Sequence, residues 1–297
     1  MSELFNREIE INAGGLRIAN RSLTGESKPI LRVVFRVEKN LQRDPNTAEL
    51  TIYNLGKESR VALGEQDPNQ IAIRKTITTT ILAGYYGNTD LIFTGDLEYG
   101  VSKRLGNEWI TSLQSADGGK QLRSSRINVS FNSSTLLNDV LKTGAEALGV
   151  GLGNITQELA KGAPRSSAQE YVKGLVLSGQ ASTELDKIIR RAGFNWSVQD
   201  GQIQLIRPGG VLNPNDAILL KQGTGLIGVP EIGDKGIINA RSLLQPDLTP
   251  GKKIQIQSGL RSNGQYNIDA FFRVDKSVIT GDTWGGDWYS DVEASPL

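Results

Sequence analysis

The last strand-like stretch of the chain repeats a pattern from its first half. The residues EWITSLQS, at 108–115, lie without a gap over DWYSDVEA, at 287–294. This alignment places Trp109 over Trp288. Two upstream stretches match in the same order: TILAGYYGNTDLIFTGDLE (80–98) resembles IQIQSGLRSNGQYNIDAFF (254–272) with gaps, and AELTIYNLGKES (48–59) lies over NARSLLQPDLTP (239–250). Three matches in one order indicate an internal duplication of one β-module.

Both copies lie in sequence that has the period of half-buried β-strands. From Leu31 to Val37, apolar residues alternate with more polar ones, which is the two-residue period of a strand. Gly87 and Asn88 are suited to the positive φ angles of a tight hairpin turn. The stretch NLGKESRVAL (54–63) predicts one short helix. Several short strands with turn signals between them predict an antiparallel β-barrel in each copy.

Between the two β regions, strands alternate with helices. The stretches at 127–150 and 175–198 each predict a strand followed by an amphipathic helix. We expect the hydroxyl cluster Ser133–Thr135 to cap the first helix, and Asp200–Gly201 to form a type I′ turn. The stretch at 153–171 predicts a loop. The two units align without gaps at helical spacing: Ser134, Thr135, Leu137, Val140 and Leu141 with Ser182, Thr183, Leu185, Ile188 and Ile189.

These changes of pattern divide the chain into three predicted domains. The first β-barrel occupies 1–117, an α/β domain with two strand–helix units and a hairpin occupies 118–208, and the second β-barrel occupies 209–297. A chain of 297 residues is long enough for two or three domains. The predicted fold class is therefore mainly β with an α/β insert.

The composition excludes several kinds of chemistry. The chain has no His and no Cys, so it has no imidazole or thiolate metal site, no thiol nucleophile and no triad with a histidine base. Carboxylate chemistry and a hard-cation site remain possible. The balance of 33 basic and 32 acidic residues argues against a broad nucleic-acid surface. Without a signal peptide or a long apolar run, we expect a soluble protein that starts in a cytoplasm.

The aromatic and acidic C-terminus is the first candidate site. Trp284 is a candidate sugar-stacking platform, whereas the match between Trp109 and Trp288 favours a shared packing role. Paired acids can hydrolyse glycosides, and the acids here are Asp282, Asp287, Asp291 and Glu293. Strand alternation is expected to place the last three on differing faces, which disfavours catalysis. The stretch DTWGGD (282–287) lacks the ligand spacing of a calcium loop.

Two further motifs favour structural roles. GTGLIG (223–228) has the glycines of a phosphate-binding loop, but Pro230 and Gly233 prevent the helix that such a loop requires. It predicts a turn. In KIIRR (187–191), the isoleucines are expected to face inward and the basic residues to face solvent. We therefore predict no catalytic, cofactor-binding or metal-binding residues, no cofactor and no enzyme activity.

The order of several β-turn phrases resembles one known family. These phrases are PNTAELTIYNL, LIFTGDLE, SADGG, INVSFNSST, GFNWSVQDGQIQLI, TGLIGVPE, SLLQPDLTPGKKIQIQS and GDTWGGDWYSDVEA. Together they resemble the tail-hub, or baseplate-hub, proteins of tailed bacteriophages, from about residue 31 to residue 294. No single phrase is decisive, and the resemblance depends on their joint order.

The resemblance implies a structural role. Members of the family are homotrimers with two tube-protein-like barrels per chain, which form a pseudo-sixfold ring around a channel. The implied partners are tail-tube or distal tail proteins, a separate central spike protein, and the tape-measure protein and DNA in the channel. No sequence-specific nucleic-acid binding and no membrane insertion are implied. The implied location is the virion tail tip or baseplate, assembled in the cytoplasm of the bacterial host.

Two other functions remain open from the sequence. The first is a carbohydrate-binding or cell-wall-degrading tail component, which would need exposed tryptophans and a cleft of paired acids. The second is the spike base of a bacterial contractile secretion system, which is similar in fold and symmetry.

Overall fold

The computed structural model describes residues 6–20, 30–63, 77–165, 171–172, 174–260 and 266–297. Thirteen described strands form one continuous sheet, and the middle of the chain holds three two-stranded sheets. This architecture confirms the predicted fold class, mainly β with an α/β insert. No helix in the described part of the chain is long and apolar enough to span a membrane.

The first third of the chain forms module 1. It contains seven strands and one short helix, as predicted. In chain order, these elements are β1 (Arg7–Ala13), β2 (Leu16–Ala19), β3 (Val33–Asn40), β4 (Thr47–Tyr53), α1 (Lys57–Leu63), β5 (Thr78–Tyr85), β6 (Asn88–Leu105) and β7 (Glu108–Ala116). Buried and exposed positions alternate along β3 and β4, as the apolar period requires.

The middle unit packs two strand–helix units against a hairpin. Its elements are α2 (Gly119–Ser124), β8 (Arg126–Phe131), β9 (Thr135–Leu136), α3 (Leu137–Leu148), α4 (Ile155–Ala160), β10 (Tyr171–Val172), β11 (Leu175–Gln180), α5 (Ala181–Arg191), β12 (Asn195–Gln199) and β13 (Gln202–Ile206). The helices α3 and α5 approach closely at Gly144, where a Cβ atom would lie 2.4 Å from the Leu185 side chain.

The last third of the chain forms module 2. Its strands are β14 (Ala217–Leu220), β15 (Leu226–Ile232), β16 (Ile238–Leu243), β17 (Lys253–Leu260), β18 (Tyr266–Asp282) and β19 (Trp288–Pro296). The order of the large sheet is β15–β16–β19–β18–β3–β4–β7–β6–β5–β1–β2, with β17 on β18 and β14 on β17. The two modules are therefore parts of one sheet.

The two modules have the same strand order. The path β3–β4–β7–β6–β5–β1 of module 1 corresponds to β15–β16–β19–β18–β17–β14 of module 2. The only change of direction is at the end, because β1 pairs antiparallel with β5 whereas β14 pairs parallel with β17. The duplication inferred from the sequence is therefore present as repeated topology.

A β-bulge occurs at the same place in both modules. The ladder of β6 on β7 shifts register beyond the pair Leu97 and Ser115. The ladder of β18 on β19 shifts beyond Val274 and Ala294. Since the sequence alignment sets Ser115 over Ala294, the bulges coincide. Such agreement in an irregular feature supports a common origin, because bulges are conserved within families.

One of the three aligned segments is displaced by one residue. Ala48 pairs with Ser115 in module 1, and Ile238 pairs with Ala294 in module 2. Ala48 therefore corresponds to Ile238, and its predicted alignment with Asn239 is wrong. Ala48 and Ile238 are buried whereas Asn239 is exposed, as expected from the alternation of strand faces.

Three local predictions are also wrong. The residue that precedes α3 is Leu136, and no side chain caps this helix, so the hydroxyl cluster Ser133–Thr135 lies outside it. Gly87 has a positive φ of 84°, but Asn88 already begins β6 and is not among the positive-φ residues. The predicted loop at 153–171 contains α4, and residues 166–170 of that stretch lie outside the described residues. The turn at Asp200–Gly201 is confirmed by φ angles of 52° and 75°.

Candidate assembly surface

A strand-to-strand seam joins the two modules. The C-terminal half of β18, residues 276–282, pairs antiparallel with residues 34–40, which belong to β3. Two ion pairs cross this seam: Arg32 with Asp282 at 2.7 Å and Lys276 with Glu38 at 2.5 Å. The backbone N–H of Val33 also donates to the hydroxyl of Thr283 at 2.9 Å.

The ion pairs lower the pKa values of both seam carboxylates. Burial of Asp282 acts to raise its pKa, but hydrogen bonds from Arg32 and from the backbone of Trp284 and Gly285 outweigh burial, and the net pKa lies below its usual value. The pKa of Glu38 is lowered mainly by its hydrogen bond with Lys276. Both carboxylates are therefore held in the charged form.

The seam depends on a glycine near one of its ends. A Cβ atom on Gly281 would lie 2.4 Å from the ring of Phe35 and 2.7 Å from the ring of Trp288. These two rings make an edge-to-face contact at 5.3 Å between centroids. Glycine is required here because the backbone of one module passes directly under the aromatic core of the other.

The two aligned tryptophans occupy the same strand position in different surroundings. Trp109 accepts a backbone hydrogen bond from Asn54, and Trp288 accepts the equivalent bond from Leu244. Trp109 is half-buried, and the guanidinium of Arg60 lies 3.7 Å from its ring centroid. Trp288 is only 1% exposed and belongs to the hydrophobic core of module 1. The shared position was predicted; the insertion of Trp288 into the other module was not.

Each strand of the seam has a counterpart whose equivalent edge has no strand partner among the described residues. The counterpart of the C-terminal half of β18 is residues 99–105 of β6, which pair with β7, while β5 pairs only with residues 88–96. The counterpart of β3 is β15. Among the described strands, β15 pairs only with β16. The free part of β6 ends at Leu105, which is 69% exposed.

These two free edges carry exposed apolar side chains. Tyr99 and Leu105 are exposed on β6, and Val229 and Ile232 are exposed on β15. An exposed edge strand is a template for pairing with another chain unless the protein blocks it. Residues 99–105 of β6 and the outer edge of β15 are therefore candidate surfaces for pairing with another chain.

Two acidic residues of the C-terminus are engaged by arginines. Asp282 is bound by Arg32, and Asp291 accepts two hydrogen bonds from Arg241, at 2.7 and 3.0 Å. The predicted placement on differing faces is wrong for Asp291 and Glu293, which lie on the same, less buried face of β19. The error is one of parity, since residues two apart share a strand face.

The other sequence candidates have structural surroundings. Trp284 is 70% exposed in the loop after β18, and its indole N–H donates to the carbonyl of Ile30 at 3.0 Å. GTGLIG forms a short 3-10 turn that leads into β15, as predicted. On α5, Lys187 and Arg190 form exposed ion pairs within the helix, which is the solvated face that the sequence predicted.

Solved structures with the same fold are tail and spike-related proteins. The 43 kDa tail protein of prophage MuSo2 from Shewanella oneidensis has a TM-score of 0.60 and 10% identity, over 97% of this chain and 98% of that one. A tail protein from Neisseria meningitidis MC58 has a TM-score of 0.57 and 9% identity, over 98% and 96%.

A third similar structure comes from a secretion system. The E. coli c3393 protein, described as a component of the type VI secretion system with structural similarity to T4 bacteriophage tail proteins gp27 and gp5, has a TM-score of 0.54 and 10% identity, over 97% of this chain and 76% of that one. No protein-family profile and no curated protein matches the sequence. The chain has the fold of phage tail proteins and of their secretion-system counterparts.

Proposed function

We propose that this chain, which has the fold of phage tail proteins, is the structural hub of a phage tail tip or baseplate. Three copies form a pseudo-sixfold ring, which joins a sixfold tail tube to a threefold central spike around a channel. The observation that carries the proposal is the seam: each chain contains one closed contact between modules, and the counterpart of each strand in that contact has no strand partner on the equivalent edge among the described residues.

The free strands suit each other in another copy of the chain. Within a chain, β18 of module 2 pairs with β3 of module 1. Between chains, β6 of module 1 is then expected to pair with β15 of module 2. Such a contact is heterologous, because it joins two different surfaces, and it forms a ring when the rotation closes. Three chains with two modules each supply six alternating seams.

The register of the seam between chains follows from the seam within the chain. Lys103 lies opposite Ile110, as Thr280 lies opposite Tyr289. Because the alignment sets Ile110 over Tyr289, Lys103 is the counterpart of Thr280. The β6 side of the new seam is thus fixed by the ladders of the two modules.

The β15 side of the new seam is fixed in the same way. Glu231 and Glu293 lie at the same level of the ladder, with one strand between them. Arg36 and Gln114 have the same relation in module 1. Since the alignment sets Gln114 over Glu293, Glu231 is the counterpart of Arg36. Arg36 pairs with Thr280 within the chain, so Glu231 is expected to lie opposite Lys103 of the next copy. Opposite charges in this arrangement stabilise a strand pair.

The proposal assigns no bond chemistry to the chain. It is supported by the ion pairs of Asp282 and Asp291 with arginines. The lowered pKa of Asp282 keeps that carboxylate charged, whereas a glycosidase acid has to be protonated. The channel, the spike and the tape-measure protein enter the proposal from the sequence resemblance.

Native mass measurement and electron microscopy of the purified full-length chain test the proposal. We expect a mass of three chains and a ring of six similar lobes around a hole, in isolation or together with the tail proteins that neighbour it. A chain that stays monomeric and fails to enter tail assemblies contradicts the proposal. Substitution of Ser258, on β17 and outside both seams, to Cys for labelling provides a marker whose three copies should appear at equal spacing.

The runner-up function is the spike base of a contractile secretion system. The similarity to the type VI secretion component favours it, as does a similarity to the Francisella PdpA-VgrG complex, with a TM-score of 0.54 and 9% identity over 98% of this chain. This chain spans 58% of the matched chain in that complex. Co-purification separates the two functions: tail-tube and tape-measure proteins as partners support the hub, and secretion-sheath proteins support the spike base.

The exposed indole of Trp284 favours a test of carbohydrate binding as well. Glycan-array and peptidoglycan-binding measurements with the full-length chain and Trp284→Ala are the direct experiment. Binding that Trp284→Ala abolishes would assign a carbohydrate-binding function, and inert wild-type protein would remove this alternative.

A further inference from the structure

The contact between module 1 and the middle unit is formed by buried polar groups. Lys39 is 1% exposed, and its ammonium donates to both carboxylate oxygens of Asp200 at 2.8 and 2.9 Å. The amide of Asn46, also buried, donates to the carbonyl of Val198 at 2.9 Å. The turn of the β12–β13 hairpin is thereby fixed to the ends of β3 and β4.

Asp117 lies beside this turn with one oxygen unsatisfied. The residue is 2% exposed, its Oδ1 accepts a hydrogen bond from the backbone N–H of Gly201 at 2.9 Å, and its Oδ2 has no hydrogen-bond partner. Burial raises the pKa of Asp117 to about 6. A buried carboxylate without compensation is costly, so this oxygen indicates a missing partner.

A second unsatisfied oxygen lines the same cavity. The side-chain N–H of Gln121, on α2, donates to Asp96 at 2.8 Å, while its Oε1 is buried without a partner. Asp96, Asp117 and Gln121 together line a cavity of about 160 Å³, which is bounded on the other side by Gly149 and Val150 at the end of α3.

The charges around the cavity favour a cation over water alone. A water molecule could donate to both unsatisfied oxygens, but it would leave the carboxylates of Asp96 and Asp117 uncompensated. The nearby cation, Lys39, is already engaged by both oxygens of Asp200. The cavity is thus lined by two carboxylates, those of Asp96 and Asp117.

We propose that this cavity binds a hard divalent cation, with oxygen ligands from Asp117, Gln121 and Asp96 and with water completing the coordination. Ca²⁺ and Mg²⁺ take carboxylate and amide oxygens, and Mg²⁺ usually retains several waters. The cavity has room for an ion with waters. Among the described residues, no group of three or more acidic side chains could hold a metal; the present site combines two carboxylates with an amide.

A cation here would fix the position of the middle unit on module 1. The ligands come from β6, from the residue that follows β7, and from α2, and Asp117 also holds the turn of the middle-unit hairpin. The seams between modules lie elsewhere in the sheet. A test of the cation site is therefore independent of whether the ring forms.

Titration calorimetry of the chelator-treated full-length chain tests the site, with CaCl₂ and MgCl₂ in separate titrations. We expect saturable binding of one ion per chain for at least one of them, together with a higher temperature of thermal unfolding. Asp117→Asn should lose both effects. The control, Asp139→Asn, removes an exposed carboxylate on α3 and should bind as the wild type does.

A second variant separates binding from folding. Gln121→Met removes the amide oxygen at similar volume and should also abolish binding. Without added cation, Asp117→Asn should unfold at the same or a higher temperature than the wild type, because a neutral amide is less costly to bury than an unpaired carboxylate. Absence of saturable binding by the wild type, or undiminished binding by both Asp117→Asn and Gln121→Met, would overturn the proposal.

Discussion

The two modules have one strand order but differ in what their last strand contributes. In module 1, Trp109 at the start of β7 stays half-buried under the guanidinium of Arg60. In module 2, Trp288 at the equivalent position enters the core of module 1, and its indole N–H donates to the carbonyl of Gly84 at 3.1 Å. Module 1 therefore lacks part of its core without module 2, and the duplication has become one folding unit.

The duplication also explains which strands carry the two edges that have no described strand partner. The seam within the chain uses one edge of β18 and one edge of β3, and the duplication supplies the same edges again on β6 and β15. Because the first pair is closed within the chain, the second pair is the one that we propose to join another copy. An intramolecular contact and an intermolecular contact of the same design can thus alternate around a ring.

The largest expected effect distinguishes the two tryptophans. Trp288→Ala should destabilise the chain by about 3–5 kcal/mol, because it removes a buried ring from the core of module 1 and leaves the carbonyl of Gly84 without its donor. Trp109→Ala should cost about 1 kcal/mol, because it loses a half-buried ring and its contact with Arg60. The free energy of unfolding in urea measures both. Equal losses would contradict the asymmetry of the modules.

The next effect tests the close packing at Gly281 in the seam. Gly281→Ala should destabilise the chain by about 1–3 kcal/mol, since the new methyl group collides with Phe35 and Trp288. Gly286→Ala is the matched control, because a Cβ atom there has no neighbour within 4 Å; its effect should stay within about 0.5 kcal/mol. Thermal unfolding of the two variants side by side checks this. A tolerated Gly281→Ala would show that the modules can separate at the seam.

The sequence was sufficient to predict the duplication and its position. Alternating apolar residues identified the strands, and the matched order of three segments identified the repeat. The strand patterns are local, and a local pattern is enough to predict them. The structure adds that the register shifts beyond Ser115 in one copy and beyond the aligned Ala294 in the other.

The sequence could not predict which core Trp288 enters. The alternation of apolar residues predicts which face of a strand a side chain occupies. It does not predict which distant part of the chain packs against that face. For the same reason, the stretch at 153–171 was predicted as a loop although Ile155 and Leu159 are buried against α3 and the hairpin. Tertiary contacts there stabilise a short helix between Gly153 and Gly162.

The cation site was also beyond the sequence. Asp96, Asp117 and Gln121 lie on three separate elements, and none of them belongs to a recognisable ligand spacing. The absence of His and Cys left only oxygen ligands available, which was the single usable signal. The unsatisfied oxygens become visible only when the middle of β6, the end of β7 and α2 are brought together.

A smaller effect tests the ion pair that crosses the closed seam. The pKa of Asp282 is lowered in the folded chain, so its contribution to stability is fully present above the pKa of the unfolded carboxyl group and is lost as the pH falls through the lower folded value. Asp282→Asn should therefore lower stability at neutral pH and flatten the acidic side of the stability profile. Urea unfolding at a series of acidic pH values measures this. If the stability profile of Asp282→Asn runs parallel to that of the wild type, the ion pair does not make this pH-dependent contribution to stability.

The smallest effect per contact concerns the free edges. Lys103→Glu places like charges opposite each other in the seam between copies, and Glu231→Lys does the same from the other side. Each should weaken assembly by about 0.2–1 kcal/mol per contact, whereas the double variant should recover it. Sedimentation velocity across a range of protein concentrations measures the shift between monomer and trimer. If the double variant weakens assembly by the sum of the two single effects, the two residues do not face each other.

Disulfide trapping tests the central claim most directly, because the chain has no cysteine of its own. In the double variant Lys103→Cys with Glu231→Cys, the two Cβ atoms of neighbouring copies should lie about 4.5–5.5 Å apart, close enough for a disulfide after slight adjustment. Oxidation should then give covalently linked trimers on a non-reducing gel. The single variants should give few linked trimers. The pair Lys103→Cys with Gly233→Cys, in which the second cysteine is shifted by two residues, should also give few. Linked trimers from the predicted pair alone would support alternating seams, and equal or absent linkage in all variants would contradict them.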